Sequence, residues 1–251
     1  MDIRFDGQIV LVTGAAQGNG RALALGFAQS GADVVIVDLR AEGAAETAAA
    51  VRASGRRAWS YALDIADRAA CRATAARVEQ EAGTITHLVN NAGIDGRAVL
   101  GDAEADKVWD AVINVNVNGL YNMTSAFVAQ VVRSRGTILN VGSTMSFIGA
   151  GRMAAYTASK AAIHNFTQTL AIDLAPQGVR VNMLAPGLIE TPLTAGLFGQ
   201  PERLQGYLER TCLGRAGKPE EVVGPALLMC SSAASYMTGA TVRVDGGWLA
   251  R

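Results

Sequence analysis

This sequence contains few cysteines and histidines, and it has no excess of charge of either sign. Its 251 residues include three cysteines and two histidines, and 22 basic residues balance 22 acidic ones. Three scattered cysteines do not form the disulfide framework of a small secreted protein. Two histidines exclude the usual histidine-rich zinc sites and disfavour a Ser-His-Asp hydrolase, so we expect no metal. The zero net charge excludes a chain built around a basic nucleic-acid footprint.

Long apolar runs of the membrane type are also missing. Half of the residues are hydrophobic and 18% are charged, which predicts a compact globular protein. The uncharged stretch Val222–Val242 contains glycine, proline and serine, so we predict a buried helix-turn-strand unit there and no membrane partner. The first residues, MDIRFDGQIV, lack the pattern of a signal peptide, which predicts a cytoplasmic location. No linker or repeat divides residues 1–251, and we expect a single domain.

Short apolar runs alternate with longer alanine-rich segments along most of the chain. Several runs are hydrophobic throughout, as expected for strands that helices cover on both faces. The alternation predicts an α/β fold, a doubly wound parallel sheet of about seven strands with helices on both faces. The predicted strands are Gln8–Thr13, Asp33–Asp38, Ala58–Asp64, His87–Asn90, Thr137–Val141, Val179–Ala185 and Thr241–Val244. The predicted helices are Arg21–Ser30, Ala41–Ser54, Arg68–Glu81, Leu120–Val132, Ala154–Ala175 and Glu220–Cys230.

A glycine-rich segment, residues 13–20 (TGAAQGNG), follows the first predicted strand. Its glycines permit a tight turn and let backbone N–H groups approach a pyrophosphate at a helix N-terminus, although the segment could be only a turn. The next strand ends at Asp38, whose carboxylate could accept hydrogen bonds from the adenosine ribose hydroxyls and would repel a 2′-phosphate. Arg40 could instead accommodate that phosphate. The pattern favours NAD over NADP.

Tyr156 and Lys160 lie four residues apart at the start of a long helical run. This spacing places both side chains on one helix face. An ammonium beside a phenol favours the phenolate, so the pair predicts a lowered pKa for Tyr156, as a general base requires. With three lysines and five tyrosines in the chain, a chance match is uncommon, but a surface pair is the alternative.

Taken in order, these segments resemble the short-chain dehydrogenase/reductase family over essentially the whole chain. Asn19 departs from the family pattern, which usually has an aliphatic residue there. The resemblance implies a Rossmann-like, NAD(P)-binding domain, a homotetramer with a dimer as the alternative, and a substrate lid around residues 187–217. The further motifs that carry it are Asp64-Ile65, Asn90-Asn91-Ala92-Gly93, Asn116 in the segment NVNG, Ser143 thirteen residues before Tyr156, Pro186-Gly187 with Ile189 and Thr191, residues 214–221 (GRAGKPEE) and residues 244–247 (VDGG).

The resemblance also implies roles for single residues. Tyr156 would exchange a proton with the substrate oxygen, and Ser143 would hydrogen-bond the same oxygen. Lys160 would hold the nicotinamide ribose and join a proton relay through a water near Asn116. The catalytic residues are thus predicted to be Asn116, Ser143, Tyr156 and Lys160. The residues implied to bind the cofactor are Gly14, Gln17, Gly18, Asn19, Gly20, Asp38, Asp64, Ile65, Asn91, Ala92, Gly93, Tyr156, Lys160, Pro186, Gly187, Ile189 and Thr191.

Three functions remain open at this point. The first is NAD-dependent oxidation of a secondary alcohol in a polyol, sugar or small hydroxy compound. The second is NADPH-dependent reduction of 3-oxoacyl thioesters or similar carbonyls, and the third is a non-catalytic NAD(H)-binding sensor. Asp38 and the absence of a basic residue at positions 15–17 favour the first. Asp95 could hold a second substrate hydroxyl, and the predicted substrate residues are Asp95, Met145, Ser146, Met153 and Leu188.

Overall fold

The computed structural model describes residues 3–251, and the first two residues of the predicted domain lie outside the described residues. Seven strands form one parallel sheet in the order β3-β2-β1-β4-β5-β6-β7. The order reverses at β1, which pairs with β2 on one side and with β4 on the other, as in a doubly wound sheet. The predicted fold class is confirmed. The strands are β1 (Ile9–Thr13), β2 (Asp33–Asp38), β3 (Ala58–Ala62), β4 (His87–Asn90), β5 (Thr137–Val141), β6 (Arg180–Pro186) and β7 (Thr241–Val244).

Helices connect the strands and cover both faces of the sheet. A π-helical segment at Asn114–Gly119 joins α4 to α5, and the sequence analysis predicted neither α4 nor this segment. Asparagine at every second position from 114 to 118 obscures the apolar helical period there. The helices are α1 (Gly18–Gln29), α2 (Ala41–Ala53), α3 (Arg68–Glu81), α4 (Ala105–Ile113), α5 (Leu120–Ser134), α6 (Ala154–Leu174), α7 (Ala195–Phe198), α8 (Pro201–Arg210) and α9 (Val223–Cys230).

The core consists of two large clusters, one on each face of the sheet. Along β1, Val10 and Val12 belong to one cluster and Leu11 to the other, because successive side chains of a strand point to opposite faces. All three are completely buried. Burial on both faces explains why the predicted strands are apolar throughout rather than alternating.

The uncharged stretch folds as predicted, with α9 followed by a short 3-10 turn and β7. In α9, Ala226, Met229 and Cys230 are buried against the core. Within residues 3–251, no helix has both the length and the apolar character needed to cross a membrane. The same residues contain no cluster of three or more histidine, cysteine, aspartate or glutamate side chains that could hold a metal ion.

Buried side-chain amides connect the centre of the sheet to the helices above it. The Asn90 amide on β4 donates to the Thr124 hydroxyl on α5 at 3.0 Å and to Asn140 Oδ1 on β5 at 2.9 Å. The Asn140 amide then donates to the Thr167 hydroxyl on α6 at 2.9 Å. Buried polar groups are costly unless they are hydrogen-bonded, so this chain of bonds fixes how α5 and α6 sit on the sheet.

We expect Asn140→Ala to lower the free energy of unfolding by about 3 kcal/mol, because it removes two buried hydrogen bonds and leaves one hydrogen-bonding site on each of Asn90 and Thr167 unfilled. Chemical denaturation measures this loss. The control is Asn118→Ala, which removes an exposed hydrogen bond to Asn114 and should change stability by less than about 0.5 kcal/mol. Equal losses in the two variants would contradict a structural role for the buried chain.

Candidate active site

A cavity of about 550 Å³ opens at the carboxyl ends of the strands, where doubly wound sheets bind ligands. Its size is typical of small-molecule sites. Every residue predicted to bind the cofactor lines this cavity, as do Ser143 and Asp95. Three apolar residues that no motif indicated also line the cavity: Val37, Leu63 and Val141. Each lies at or just after the carboxyl end of a strand, and that position could have indicated it as a lining residue.

The carboxyl ends of β1 and β4 are joined at the floor of this cavity. The Asn91 side-chain amide donates to the Thr13 carbonyl at 2.9 Å and to the Gly14 carbonyl at 3.2 Å. In return, the Thr13 hydroxyl accepts hydrogen bonds from the backbone N–H groups of Asn91 and Ala92, both at 3.0 Å. These bonds hold the glycine-rich turn directly against the segment that follows β4.

The glycine-rich turn is packed too closely for side chains at two of its glycines. Gly14 has a φ of +63°, and a Cβ on Gly20 would lie 2.1 Å from the Gly14 carbonyl oxygen. Helix α1 begins at Gly18, so its first backbone N–H groups have no partner within the helix. The buried Asn19 Oδ1 atom also has no hydrogen-bond partner. A cradle without side chains, a helix N-terminus and an unpartnered polar atom together fit the phosphates of a dinucleotide.

Asp38 lies where β2 ends and lines the same cavity. Its carboxylate accepts hydrogen bonds from the backbone N–H groups of Ala16 and Arg40, each at 2.9 Å. The Arg40 guanidinium Nε is 3.7 Å from the same carboxylate. A fixed carboxylate and a guanidinium therefore lie side by side at the position that distinguishes NAD from NADP in this fold.

Ser143, Tyr156 and Lys160 come together at another part of the cavity wall. The Ser143 hydroxyl follows β5 and lies close enough to the Tyr156 phenol, in the first turns of α6, to favour its ionised form. Lys160 Nζ lies 5.6 Å from the centroid of the Tyr156 ring. It donates a hydrogen bond to the Val141 carbonyl at 2.9 Å and is almost completely buried.

The predicted lowering of the Tyr156 pKa is wrong for this structure. Loss of contact with water raises the pKa of Tyr156 to about 12, the Ser143 hydrogen bond opposes this, and the charges of Asp95 and Tyr207 add to it. Burial also lowers the pKa of Lys160 to about 8, so the cation beside the phenol is itself destabilised. The sequence gives the spacing of the pair, but it does not give the burial that decides the direction of the shift.

Asn116 lies behind the cavity wall rather than on it. Its side-chain oxygen accepts from the Ile94 backbone N–H at 2.8 Å, and its amide donates to the Ile94 carbonyl at 2.9 Å and to the Ser159 hydroxyl at 3.0 Å. These bonds join the π-helical segment to α6 and to the loop after β4. The side chain thus connects its own segment to two other elements of the site, and no sequence motif indicated Ser159 as its partner.

Four of the five predicted substrate residues do not line the cavity; only Asp95 does. Ser146 is buried, and its hydroxyl accepts the Ser143 backbone N–H at 3.3 Å, so it stabilises the turn after β5. The Met145 backbone N–H donates to the Ser143 hydroxyl at 3.1 Å, and Met153 precedes the first turn of α6. Leu188 lines a neighbouring pocket of about 400 Å³. These four residues are close to catalytic residues in the sequence, but they do not line the cavity.

Comparison with known proteins gives consistent matches over the whole chain. A family model described as enoyl-(acyl carrier protein) reductase matches residues 14–249. The 3-oxoacyl-(acyl-carrier-protein) reductase of Thermotoga maritima is 40% identical over 247 residues, covering 98% of this chain and 99% of that protein. The galactitol 2-dehydrogenase (L-tagatose-forming) of Cereibacter sphaeroides is 40% identical over 250 residues, covering 98% of this chain and 96% of that protein.

A solved structure agrees with these relatives. It is a gluconate 5-dehydrogenase from Burkholderia cenocepacia in complex with NADP and tartrate, which matches with a TM-score of 0.95 and 35% sequence identity. The match covers 100% of this chain and 98% of that chain. With the sheet order, the cavity and the motifs, these matches show that the chain belongs to the short-chain dehydrogenase/reductase family of nicotinamide-dependent oxidoreductases.

Proposed function

We propose that this chain is an NAD-dependent dehydrogenase that interconverts a secondary alcohol and a ketone in a polyol, sugar or small hydroxy compound. The observation that carries the proposal is the grouping of Ser143, Tyr156 and Lys160 on the wall of the cavity that also contains Asp38. A protein that only binds NAD(H) as a sensor would need the cradle for the dinucleotide but not this arrangement of hydroxyls and a buried amine.

The residues of the site divide the chemistry between them. The nicotinamide, when bound, gives or takes the hydride. The raised pKa keeps the Tyr156 phenol protonated at neutral pH, which suits it to give a proton to a ketone oxygen. In the oxidative direction the phenol must first lose that proton, and the Ser143 hydroxyl is the neighbour that favours the phenolate. Lys160 Nζ lies 5.6 Å from the centroid of the same ring. Ser143 also orients the substrate oxygen, while Asn116 holds Ile94 and Ser159 in place.

Asp95 supports a substrate with more than one hydroxyl. It lines the cavity close enough to Tyr156 for its charge to raise the pKa of the phenol. A carboxylate there can accept a hydrogen bond from a second hydroxyl and repels an anionic group. The names of two similar proteins, a galactitol 2-dehydrogenase and a gluconate 5-dehydrogenase, describe enzymes that act on polyhydroxylated compounds. Asp95 favours a neutral hydroxyl beside the reacting carbon.

Reduction of a 3-oxoacyl thioester with NADPH is the second candidate. The Thermotoga maritima reductase supports it, and the NADP in the Burkholderia cenocepacia structure favours the phosphorylated cofactor. We propose NAD for this chain because the Asp38 carboxylate is fixed by two backbone N–H groups and would repel a 2′-phosphate. Arg40 is the only residue beside it, among those the structure describes on the cavity wall, that could offset this repulsion.

We also propose a homotetramer, with a dimer as the alternative. Large apolar side chains are exposed on α4, α5 and α6, namely Trp109, Tyr121 and Ile172, and a subunit interface would cover them. The cytoplasmic location and the action of residues 187–217 as a lid stay predictions.

Tyr156→Phe should lower kcat at least about 100-fold, because it removes the phenol next to Ser143 that moves the proton in the proposed reaction. NADH formation from a panel of polyols, sugars, hydroxy acids and secondary alcohols measures the loss. Binding of NADH, followed by its fluorescence, should be retained. The control is Tyr236→Phe at a fully exposed tyrosine. Turnover in the Tyr156 variant close to that of the control would refute the proposed role.

Asp38→Ala should lower the ratio of kcat/KM with NAD⁺ to kcat/KM with NADP⁺ by about tenfold or more, because it removes the charge that opposes the 2′-phosphate. Both cofactors are assayed in parallel with the best substrate of the panel. Asp173→Ala removes the same charge at an exposed position and should leave the ratio unchanged. A wild-type preference for NADP⁺ would show that Arg40 outweighs Asp38 and would move the ketoreductase to first place.

Asp95→Ala should lower the preference for a diol over the matched mono-alcohol by about tenfold, since one hydrogen bond to a charged acceptor is lost. The measurement compares kcat/KM for 2,3-butanediol and 2-butanol. Asp102→Ala is the control, at an exposed carboxylate outside the cavity lining. An unchanged preference in the Asp95 variant would remove the argument for a second hydroxyl at this position.

A further inference from the structure

A second cavity, of about 680 Å³, lies at the amino ends of the strands, at the opposite edge of the sheet from the candidate active site. Its wall includes residues at the start of three strands, namely His87 of β4, Thr137 of β5 and Arg180 of β6. The volume is typical of small-molecule sites. The two cavities share no lining residue, so a ligand could occupy this one while the dinucleotide occupies the other.

The charged side chains on the wall of this second cavity are basic. Arg4, Arg135 and Arg180 line it, and the described lining residues include no aspartate or glutamate. Arg4 is balanced by Asp6, whose Oδ1 atom lies 2.8 Å from its guanidinium. Within residues 3–251, no carboxylate lies at ion-pair distance from Arg135 or Arg180. Two guanidinium charges on the wall are therefore not paired with an acid.

Arg135 is held in a backbone conformation that its side chain disfavours. It ends α5 with a φ of +48°, in the left-handed region that favours glycine. Just after α1, α2 and α3, the chain places glycine in this region, at Gly31, Gly55 and Gly83. A cation against the helix dipole does not require Arg135, because Arg133 already lies in the last turn of α5. A strained residue of this kind indicates a function for its side chain.

The Arg135 side chain lies along the cavity wall. A Cβ on Gly178, which also lines the cavity, would be 3.4 Å from Arg135 Cγ and 3.5 Å from its Cδ. Ser232 and Ser235 line the same cavity from the segment that follows α9. Among the bonds within residues 3–251, neither of these two hydroxyls has a hydrogen-bond partner. A flexible guanidinium and two free hydroxyls are thus available to a ligand.

Arg180, in contrast, contributes a fixed charge. One terminal nitrogen donates to the carbonyls of Met229 at 2.8 Å and Met237 at 3.1 Å. The other donates to the carbonyls of Cys230 at 3.3 Å and Ser231 at 2.9 Å. These bonds use all four protons of the terminal nitrogens and hold the guanidinium at the end of α9. Carbonyl oxygens satisfy its hydrogen bonds, but they do not neutralise its charge.

The charge balance of the cavity remains positive when the helix ends are included. Helices α5, α6 and α9 end beside it, since Ser134, Ala175 and Cys230 are lining residues. Each helix end is equivalent to about half a negative charge, or about 1.5 in total, against two unpaired guanidinium charges. His87 adds no charge at neutral pH, because burial and the Arg180 charge lower its pKa to about 3.

We propose that this cavity is an anion site that binds a phosphate group, either as inorganic phosphate or as a small phosphate monoester. Arg135 contacts the phosphate oxygens through its planar fork of N–H donors, which matches their geometry. The Ser232 and Ser235 hydroxyls donate further hydrogen bonds, and Arg180 supplies a fixed positive charge behind them. The site is separate from the reaction, so it does not depend on the proposed function.

Calorimetric titration of the full-length protein with inorganic phosphate, and separately with glucose 6-phosphate, tests the site. Saturating NADH occupies the dinucleotide cradle throughout, and sodium chloride keeps the ionic strength constant. The test variant is Arg135→Gly. The matched control is Arg152→Gly, which removes another exposed arginine of positive φ, +64°, that does not line the cavity. The two titrants distinguish the free ion from a monoester as the better ligand.

We expect phosphate to bind the NADH-saturated wild type and to raise its Tm by about 3 °C at about ten times its Kd. Arg135→Gly should raise that Kd at least about tenfold, because it removes the charged donor to the phosphate. Without phosphate its Tm should not fall, because glycine adopts the left-handed conformation without strain. Arg152→Gly should leave the phosphate Kd unchanged.

Three results would overturn the proposal. The first is a wild type that binds neither titrant, and the second is an unchanged Kd in Arg135→Gly. The third is binding that NADH abolishes, since the phosphate would then have occupied the dinucleotide cradle. None of these results bears on the proposed dehydrogenase activity, which is measured separately as NADH formation.

Discussion

The hydrogen bonds between the ends of β1 and β4 are the interaction on which the rest of the site depends. The sheet reverses its order between these strands, and the Thr13 and Asn91 side chains join them where both strands end. The bonds bring Gly14 so close to Ala92 that a Cβ on this glycine would lie 2.7 Å from the Ala92 Cα atom. The cradle for the phosphates and the loop that leads to Asp95 are therefore parts of one rigid junction.

The catalytic residues lie on elements whose relative positions are fixed by buried side-chain amides. Asn140 on β5 bonds Thr167 on α6, and the same two elements lead to Ser143 and Tyr156. Asn116 adds a second connection, because it bonds both Ser159 on α6 and the backbone at Ile94. Precise placement of the hydroxyls near Tyr156 is thus a property of the buried polar network, not of the exposed loops.

The sequence predicts the sheet and the position of the glycine-rich turn, because both depend on short contiguous patterns. A buried parallel strand is a short apolar run, and a phosphate-binding turn is a local arrangement of glycines, so both can be seen without knowledge of tertiary contacts. Every predicted cofactor residue lines the cavity. The asparagine-rich segment at 114–119 shows the limit, because a π-helical turn has no apolar period of its own.

The substrate side and the electrostatics are less predictable, for a related reason. Met145, Ser146, Met153 and Leu188 are close to catalytic residues in the sequence, but turns and packing use them for other contacts. The direction of the Tyr156 pKa shift depends on burial, which a spacing of four residues does not reveal.

The burial of Lys160 has a consequence for the thermodynamics of the whole chain. The unfolded chain keeps the lysine proton up to a pKa near 10.5, whereas the folded protein loses it near pH 8. Between these values Lys160 binds more protons in the unfolded state, so its own contribution to the free energy of unfolding rises with pH across that window. The raised pKa values of the buried Cys71 and Cys230 thiols contribute in the opposite direction. Below pH 8 the folded state carries a buried ammonium, and the contribution of Lys160 alone is then on the order of 3 kcal/mol less favourable than above its unfolded pKa. At neutral pH the site therefore holds its buried cation, Lys160, at the expense of the free energy of unfolding.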